Sequence, residues 1–235
     1  MTVTILAPAY NEEDAIDQFV EAVIPRLADG WEILVVDDGS TDGTPQCLES
    51  LAERHPRLHV VTHSQNAGIG AALATGFAAI PGGVIVTMDA DLSHPLDLLP
   101  DLVAGCDTAD ACYGSRFVPG GGMVGVPWWR SAISRIANVI LRAAYRSSTR
   151  DLTTGYRAYR AEAVHDLDLV GEGFETQLEI TIRLIAAGRT ISEIPLVLTT
   201  RVAGQSKMRY LKLVPPYGLM ALRLLGLRWL PNRRR

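Results

Sequence analysis

Val84-Ile85-Val86-Thr87-Met88-Asp89-Ala90-Asp91 is a short apolar run that ends abruptly in two carboxylates. A run of that length, rich in β-branched residues and flanked by glycine on its N-terminal side, suits a central parallel strand covered on both faces. Upstream the same rhythm appears twice. Val3 to Ala7 is bounded by Pro8 and followed by Ile16, Phe19, Val20, Val23, Ile24 and Leu27, the spacing of one helix face. Ile33 to Val36 ends in Asp37-Asp38-Gly39-Ser40; a helix over about 44–54, a strand over 58–61 and a helix over about 70–79 follow. Strands alternating with helices in this way predict an α/β protein with a doubly wound, mostly parallel sheet and flanking helices.

Downstream of about residue 115 the rhythm changes. Pro119-Gly120-Gly121-Gly122 marks a loop, then a helix is expected from about 129 to 146, with Arg135, Arg142 and Arg146 on one face and Ile133, Ile136 and Ile140 on the other. Short strands are expected at 156–159 and within 190–200, with a helix over about 175–187 between them. The stretch 217–230 reads as a small Leu-rich interfacial helix, with docking on the chain's own core or on a partner subunit as the competing reading. The expected division is an α/β domain over 1–210 and a basic, Leu-rich membrane-interfacial segment over 211–235.

The 235 residues are 48% hydrophobic and 20% charged, enough to build a core and unlike a disordered chain. A formal net charge of -4 argues against general nucleic-acid binding, yet residues 201–235 carry basic side chains and no acidic one. That end is expected to meet an anionic surface or substrate. Cys47, Cys106 and Cys112 have no paired spacing and read as thiols in a reducing compartment. The N-terminus lacks a basic region before its apolar run, and Leu213 to Leu230 is broken by Pro215, Pro216, Arg223 and Arg228. Neither a signal peptide nor a spanning helix is read there, so a cytoplasmic chain is expected. The histidines show no metal-binding pattern, and His94 is expected to order the turn before Pro95 rather than act as a base.

In an open parallel sheet, ligands bind beyond the carboxyl ends of the strands. Three such ends are suited to chemistry: Pro8-Ala9-Tyr10-Asn11-Glu12, Val36-Asp37-Asp38-Gly39 and Asp89-Ala90-Asp91. In extended chain, Asp89 and Asp91 point the same way and offer two hard oxygen ligands, a set that favours Mg²⁺ or Mn²⁺. The competing reading is helix capping before Leu96, for which Ser93 alone would suffice.

Together with Asn66-Ala67-Gly68-Ile69-Gly70, Gly114-Ser115-Arg116-Phe117, Asp151-Leu152-Thr153-Thr154-Gly155-Tyr156-Arg157 and Arg201-Val202-Ala203-Gly204-Gln205-Ser206-Lys207, these motifs cover residues 3–210 in order. In them the chain resembles the family 2 glycosyltransferases of GT-A fold, and within that family the dolichyl-phosphate or polyprenyl-phosphate mannose synthases. The resemblance implies an inverting, metal-dependent transfer of mannose from GDP-mannose to a polyprenyl monophosphate.

It further implies that Pro8, Tyr10, Glu12, Val36 and Asp38 hold the nucleotide sugar, joined by Asp89, Ala90, Asp91, Arg201 and Lys207. Asp89 and Asp91 would bind the metal, Asp91 and Arg116 would be catalytic, and Arg116, Arg130 and Ser134 would meet the acceptor phosphate. Arg135 is expected to extend that phosphate site. Asp42 and Thr44 are expected as turn and cap residues. Asp151, Thr154 and Arg157 are expected as a structural or sugar-facing cluster, and Gln177 or Glu179 as facing the sugar. Expected partners are the nucleotide sugar, the lipid phosphate and the cytoplasmic membrane surface, with a membrane subunit or a second copy as alternatives for the tail.

Rival readings are the same chemistry with UDP-glucose or another UDP-sugar, and a family 2 enzyme with a non-lipid acceptor. A dinucleotide-dependent oxidoreductase is disfavoured because the turn after the first strand lacks the GxGxxG pattern. A non-catalytic membrane adaptor would require the acidic strand ends to be vestigial.

Overall fold

The computed structural model describes residues 1–199 and 210–226, with the side chains of 210–214 left aside. In chain order the elements are β1 (Val3–Ala9), α1 (Ile16–Val23), β2 (Trp31–Asp37), α2 (Thr44–Arg54), β3 (Leu58–Thr62), α3 (Ile69–Ala79), β4 (Val84–Thr87), α4 (Leu99–Gly105), β5 (Ala111–Ser115), β6 (Gly122–Met123), α5 (Trp128–Tyr145), β7 (Arg157–Arg160), α6 (Ala161–Val164), α7 (Thr176–Ala186), β8 (Ile191–Pro195), β9 (Val197–Leu198) and α8 (Tyr210–Leu224). Seven strands form one sheet in the order β3-β2-β1-β4-β7-β5-β8, and β6 pairs with β9 beside it.

Alternation along the strands builds the two faces of the sheet. Ile5, Ala7, Ile33, Val35 and Val86 point to one face and pack under α1, α2 and α4. Leu6, Leu34, Val36, Ile85 and Tyr113 point to the other and pack under α3, α6 and α7. The first four strands are mutually parallel, as the sequence predicts, with β1 paired to both β2 and β4. Beyond them the sheet departs from an all-parallel arrangement: β7 runs antiparallel to both β4 and β5.

Several boundaries differ for local reasons. α1 stops at Val23 because Pro25 follows within a 3-10 turn over Ile24–Arg26, so Leu27 is not part of the helix. Helix α8 begins at Tyr210, ahead of Pro215 and Pro216, rather than after them. Arg146 lies outside α5, in the left-handed conformation that caps it.

A third apolar cluster ties α8 to the body. Met220 and Leu224 pack with Tyr145, Leu152, Leu178 and Ile182, and the Tyr145 hydroxyl donates to the Ala221 carbonyl. Helix α5 itself is placed opposite to the usual amphipathic pattern. Its isoleucines are exposed rather than packed in the core, and its buried residues are Asn138 and Tyr145. Among the described residues, no helix is long and apolar enough to cross a membrane.

Candidate active site

A cavity of about 700 Å³ opens at the carboxyl end of β4 and extends between α5 and α8. Asp89, Asp91, Arg116, Arg130, Ser134 and Gln177 line its polar end. Ile133, Ile140, Leu141, Leu196, Leu198 and Phe174 line the remainder. The two sequence-predicted carboxylates and the three predicted phosphate-binding residues therefore share one space.

The carboxylates reach it by a turn rather than by strand alternation. β4 ends at Thr87, whose hydroxyl donates to the Gly155 carbonyl at 3.0 Å. Leu92 then adopts a left-handed conformation, and Asp91 Oδ1 accepts the Ser93 N–H at 2.9 Å. Ser93 thus belongs to the turn that shapes the pair and does not compete with it. Ala90 between them is buried in the core. The His94 ring stacks on Tyr156, with centroids 4.7 Å apart, and its Nδ1 accepts the Asp89 N–H at 3.3 Å. Burial holds the His94 pKa below its ordinary value, against the raising influence of the two aspartates, and favours the neutral ring. The residue orders the turn, as expected.

Among the described residues, no cluster of three or more His, Cys, Asp or Glu has metal-binding geometry. Two carboxylates alone fit a Mg²⁺ or Mn²⁺ that retains waters and shares phosphate oxygens, and fit poorly an all-protein cage.

Arg116 is fixed by a partner that the sequence reading kept separate from it. Its Nε and Nη2 donate to the two oxygens of Asp151, each at 2.7 Å, and Nη2 also donates to Thr153 Oγ1 at 3.0 Å. Burial by itself would raise the Asp151 pKa; the Arg116 charge and the hydrogen bonds outweigh it and hold the carboxyl below its usual range. Arg116 therefore presents an oriented guanidinium at the cavity, with much of its charge already answered. Behind it, fully buried Arg157 donates to the carbonyls of Leu152 and Gln177 and lies 4.1 Å from the Tyr113 ring centroid. Of the two roles expected for that cluster, Asp151 and Arg157 make structural contacts, while Thr154 lines the cavity.

On α5, Arg130 and Ser134 stand one turn apart on the cavity side, with the Arg130 guanidinium over the Trp129 ring. Arg135 departs from expectation: it is exposed, lies over Phe117 and does not line the cavity. Asn138 was not foreseen. It is 2% exposed, accepts the Leu152 N–H at 2.8 Å, and so joins the helix to the Asp151 segment.

The β1 and β2 ends form the neighbouring part of the site. Pro8 pairs in register with Val36, Tyr10 is exposed and Glu12 half-buried. The Val36 side chain lies inside the core, so only its backbone can meet a ligand. Asp38 is 3% exposed and accepts four hydrogen bonds, from His63, Asn66 Nδ2 and the backbone N–H groups of Ala67 and Gly68. Four bonds fill the lone-pair sites of a carboxylate. Asp38 thus acts first as the anchor of the 66–68 loop, and His63 is part of that anchor. Gly39 makes the approach possible: its φ is +69°, and a Cβ there would stand 2.4 Å from the Gln65 carbonyl carbon. Asp42 caps locally, as expected, accepting from the Thr44 N–H and hydroxyl. Arg201 and Lys207 lie outside the described residues.

Known proteins resemble this chain in sequence and in fold. The profile of Glycosyl transferase family 2 matches residues 4–168. Over 215 residues the chain is 39% identical to polyprenol monophosphomannose synthase of Mycolicibacterium smegmatis, covering 87% of this chain and 80% of that protein. It is 37% identical over 217 residues to undecaprenyl-phosphate mannosyltransferase of Micrococcus luteus, covering 88% of each. Among solved structures, glucosyl-3-phosphoglycerate synthase of Mycobacterium tuberculosis, crystallised with Mn²⁺, UDP and phosphoglyceric acid, superposes with a TM-score of 0.73 at 20% identity. That match covers 99% of this chain and 80% of the other and shows the shared GT-A fold.

Proposed function

Because the chain belongs to glycosyl transferase family 2, and is therefore a glycosyltransferase, we propose that it transfers mannose from GDP-mannose to a polyprenyl monophosphate with inversion at the anomeric carbon. The observation that carries this reading is the single cavity in which the Asp89–Asp91 pair and the cationic Arg116 and Arg130 open directly onto an apolar trough between α5 and α8. A lipid phosphate has that same division into an ionic head and a long apolar chain. The names of the two relatives support the same acceptor class and the mannosyl group.

In this reading Pro8, Tyr10, Glu12 and the Val36 backbone border the nucleotide, with Asp38 holding the 66–68 loop against it. Arg201 and Lys207 complete the donor site. Asp89 and Asp91 would hold Mg²⁺ or Mn²⁺, which when bound offsets the charge that develops on the departing diphosphate. Arg116, Arg130 and Ser134 position the acceptor phosphate and shield its repulsion from the donor. The second pKa of a phosphate monoester is about 6, so the attacking oxygen is already ionised at neutral pH and no strong general base is required. The apolar wall keeps water from competing for the donor.

The outward face of α5 supports a peripheral position on the cytoplasmic leaflet. Trp128, Trp129, Ile136 and Val139 are exposed there, with Leu219 and Leu222 of α8. Helix α5 has no acidic residue, and tryptophan prefers the headgroup level. The basic tail adds attraction to anionic lipid.

The test is transfer of labelled sugar into polyprenyl phosphate vesicles, with Mg²⁺ or Mn²⁺ and each of GDP-mannose, UDP-glucose and UDP-N-acetylglucosamine. Transfer from GDP-mannose is expected, abolished by chelator and reduced at least about a hundredfold in Asp91→Ala, a loss of several kcal/mol of transition-state stabilisation. Turnover with UDP-glucose alone would overturn the donor, and nucleotide-sugar turnover without a lipid product would overturn the acceptor.

A further inference from the structure

Near the start of α7, three polar side chains stand close together with three different assignments. Glu175 accepts the Gly173 N–H at 2.9 Å. Glu179 accepts the N–H groups of Val170 and Gly171 and is paired with Arg183 at 2.7 Å. Both carboxylates are occupied in holding the chain before and along the helix. Gln177 is different. It is 4% exposed, lines the cavity, and its Oε1 is buried with no hydrogen-bond partner.

A buried acceptor without a partner is costly, by enough to be rare in folded proteins. This one is also held firmly in place: the Gln177 carbonyl accepts from Arg157 at 2.8 Å and from the Thr181 hydroxyl at 3.0 Å. Its setting is the bare Cα of Gly155. A Cβ built there would stand 3.7 Å from both Asp89 Oδ1 and Gln177 Nε2, so these two groups flank one small space at the polar end of the cavity. A neutral carboxamide suits a polyhydroxylated ligand at that point. It both donates and accepts, and it adds no negative charge beside Asp89 and Asp91.

We propose that Gln177 is a specificity-determining residue that binds the transferred hexose, its carboxamide hydrogen-bonding a sugar hydroxyl. The inference rests on the glycosyl-transfer reading above and adds to it which residue distinguishes the sugar from the rest of the donor.

The test compares each nucleotide sugar with its own nucleoside diphosphate, GDP-mannose with GDP and UDP-glucose with UDP, by calorimetry on the full chain with Mn²⁺. Gln177→Met keeps the side-chain volume and removes both polar atoms; Gln177→Ala serves as a second variant, and near-UV circular dichroism checks that each is folded. The expected result is nucleoside diphosphate affinity within about twofold of the parent chain, and nucleotide-sugar affinity weakened about five- to tenfold, the scale of one neutral hydrogen bond. The ratio of kcat/KM for GDP-mannose over GDP-glucose should fall with it. Equal weakening of diphosphate and sugar nucleotide, or no weakening of either, overturns the assignment. Failure of the parent chain to bind any nucleotide sugar would instead overturn the donor reading beneath it.

Discussion

Helices α1 and α5 carry apolar residues at the same helical spacing and are placed in opposite senses. In α1, Ile16, Phe19, Val20 and Val23 are fully buried against the sheet. In α5, Ile133, Ile136, Val139 and Ile140 are between 45 and 61% exposed, while Asn138 faces inward. Amphipathic spacing fixes which residues share a face; it does not fix what that face meets. α1 meets the core, because its face covers the sheet on that side together with α2 and α4. α5 turns Arg130, Ser134 and Asn138 toward the cavity, with Ile133 and Ile140 along the same opening, and leaves Ile136 and Val139 exposed away from it. In the reading proposed above, the donor half is complete in itself and the acceptor half is completed by lipid.

The largest expected difference is in stability. Phe19→Ala should cost about 3–5 kcal/mol in urea unfolding. A comparably small cost would mean that the α1 face is not the load of the core that its burial implies. Asn138→Ala should come next, at about 1–3 kcal/mol, because the buried Leu152 N–H loses its acceptor. No loss there would show that the polar side of α5 is not what anchors it.

A third expectation concerns pH. The Asp151 carboxyl is held below its usual range by Arg116 in the folded state, so its stabilisation is complete above the unfolded pKa of about 3.9 and is lost as pH falls through the lower folded value. Acid unfolding of Asp151→Asn should lack that component, and an unchanged acid limb would contradict the pairing. The smallest change in stability is expected on the outer stripe. Ile136→Ser should alter unfolding by less than about 0.5 kcal/mol while reducing retention on anionic vesicles; a large stability loss would make this face part of the core.

The parallel half of the fold was legible because its strands and helices alternate, and each strand end carries its chemistry within a few residues. Asp89 and Asp91 were found in that way, Arg130 and Ser134 through the family resemblance, and the four meet in one cavity. Long-range assignments were not legible. Nothing local in Arg116 says that its guanidinium is held by Asp151, and nothing in Asp38 says that its oxygens close on a loop beginning 28 residues later. The strand β7 was expected, but its antiparallel direction was not, because a four-residue strand does not declare its direction. The inverted placement of α5 escaped because helical periodicity is blind to which face is wet.

The central claim is that one cavity serves both the ionic donor end and the lipid acceptor. The most direct measurement is photocrosslinking with a polyprenyl phosphate that carries a photoreactive group on its prenyl chain, followed by peptide mapping. The account predicts labels on Ile133, Ile140, Leu141 and Leu198, which line the trough, and their loss when unlabelled polyprenyl phosphate competes. Competable labels confined to other surfaces, with transfer activity retained, would contradict it.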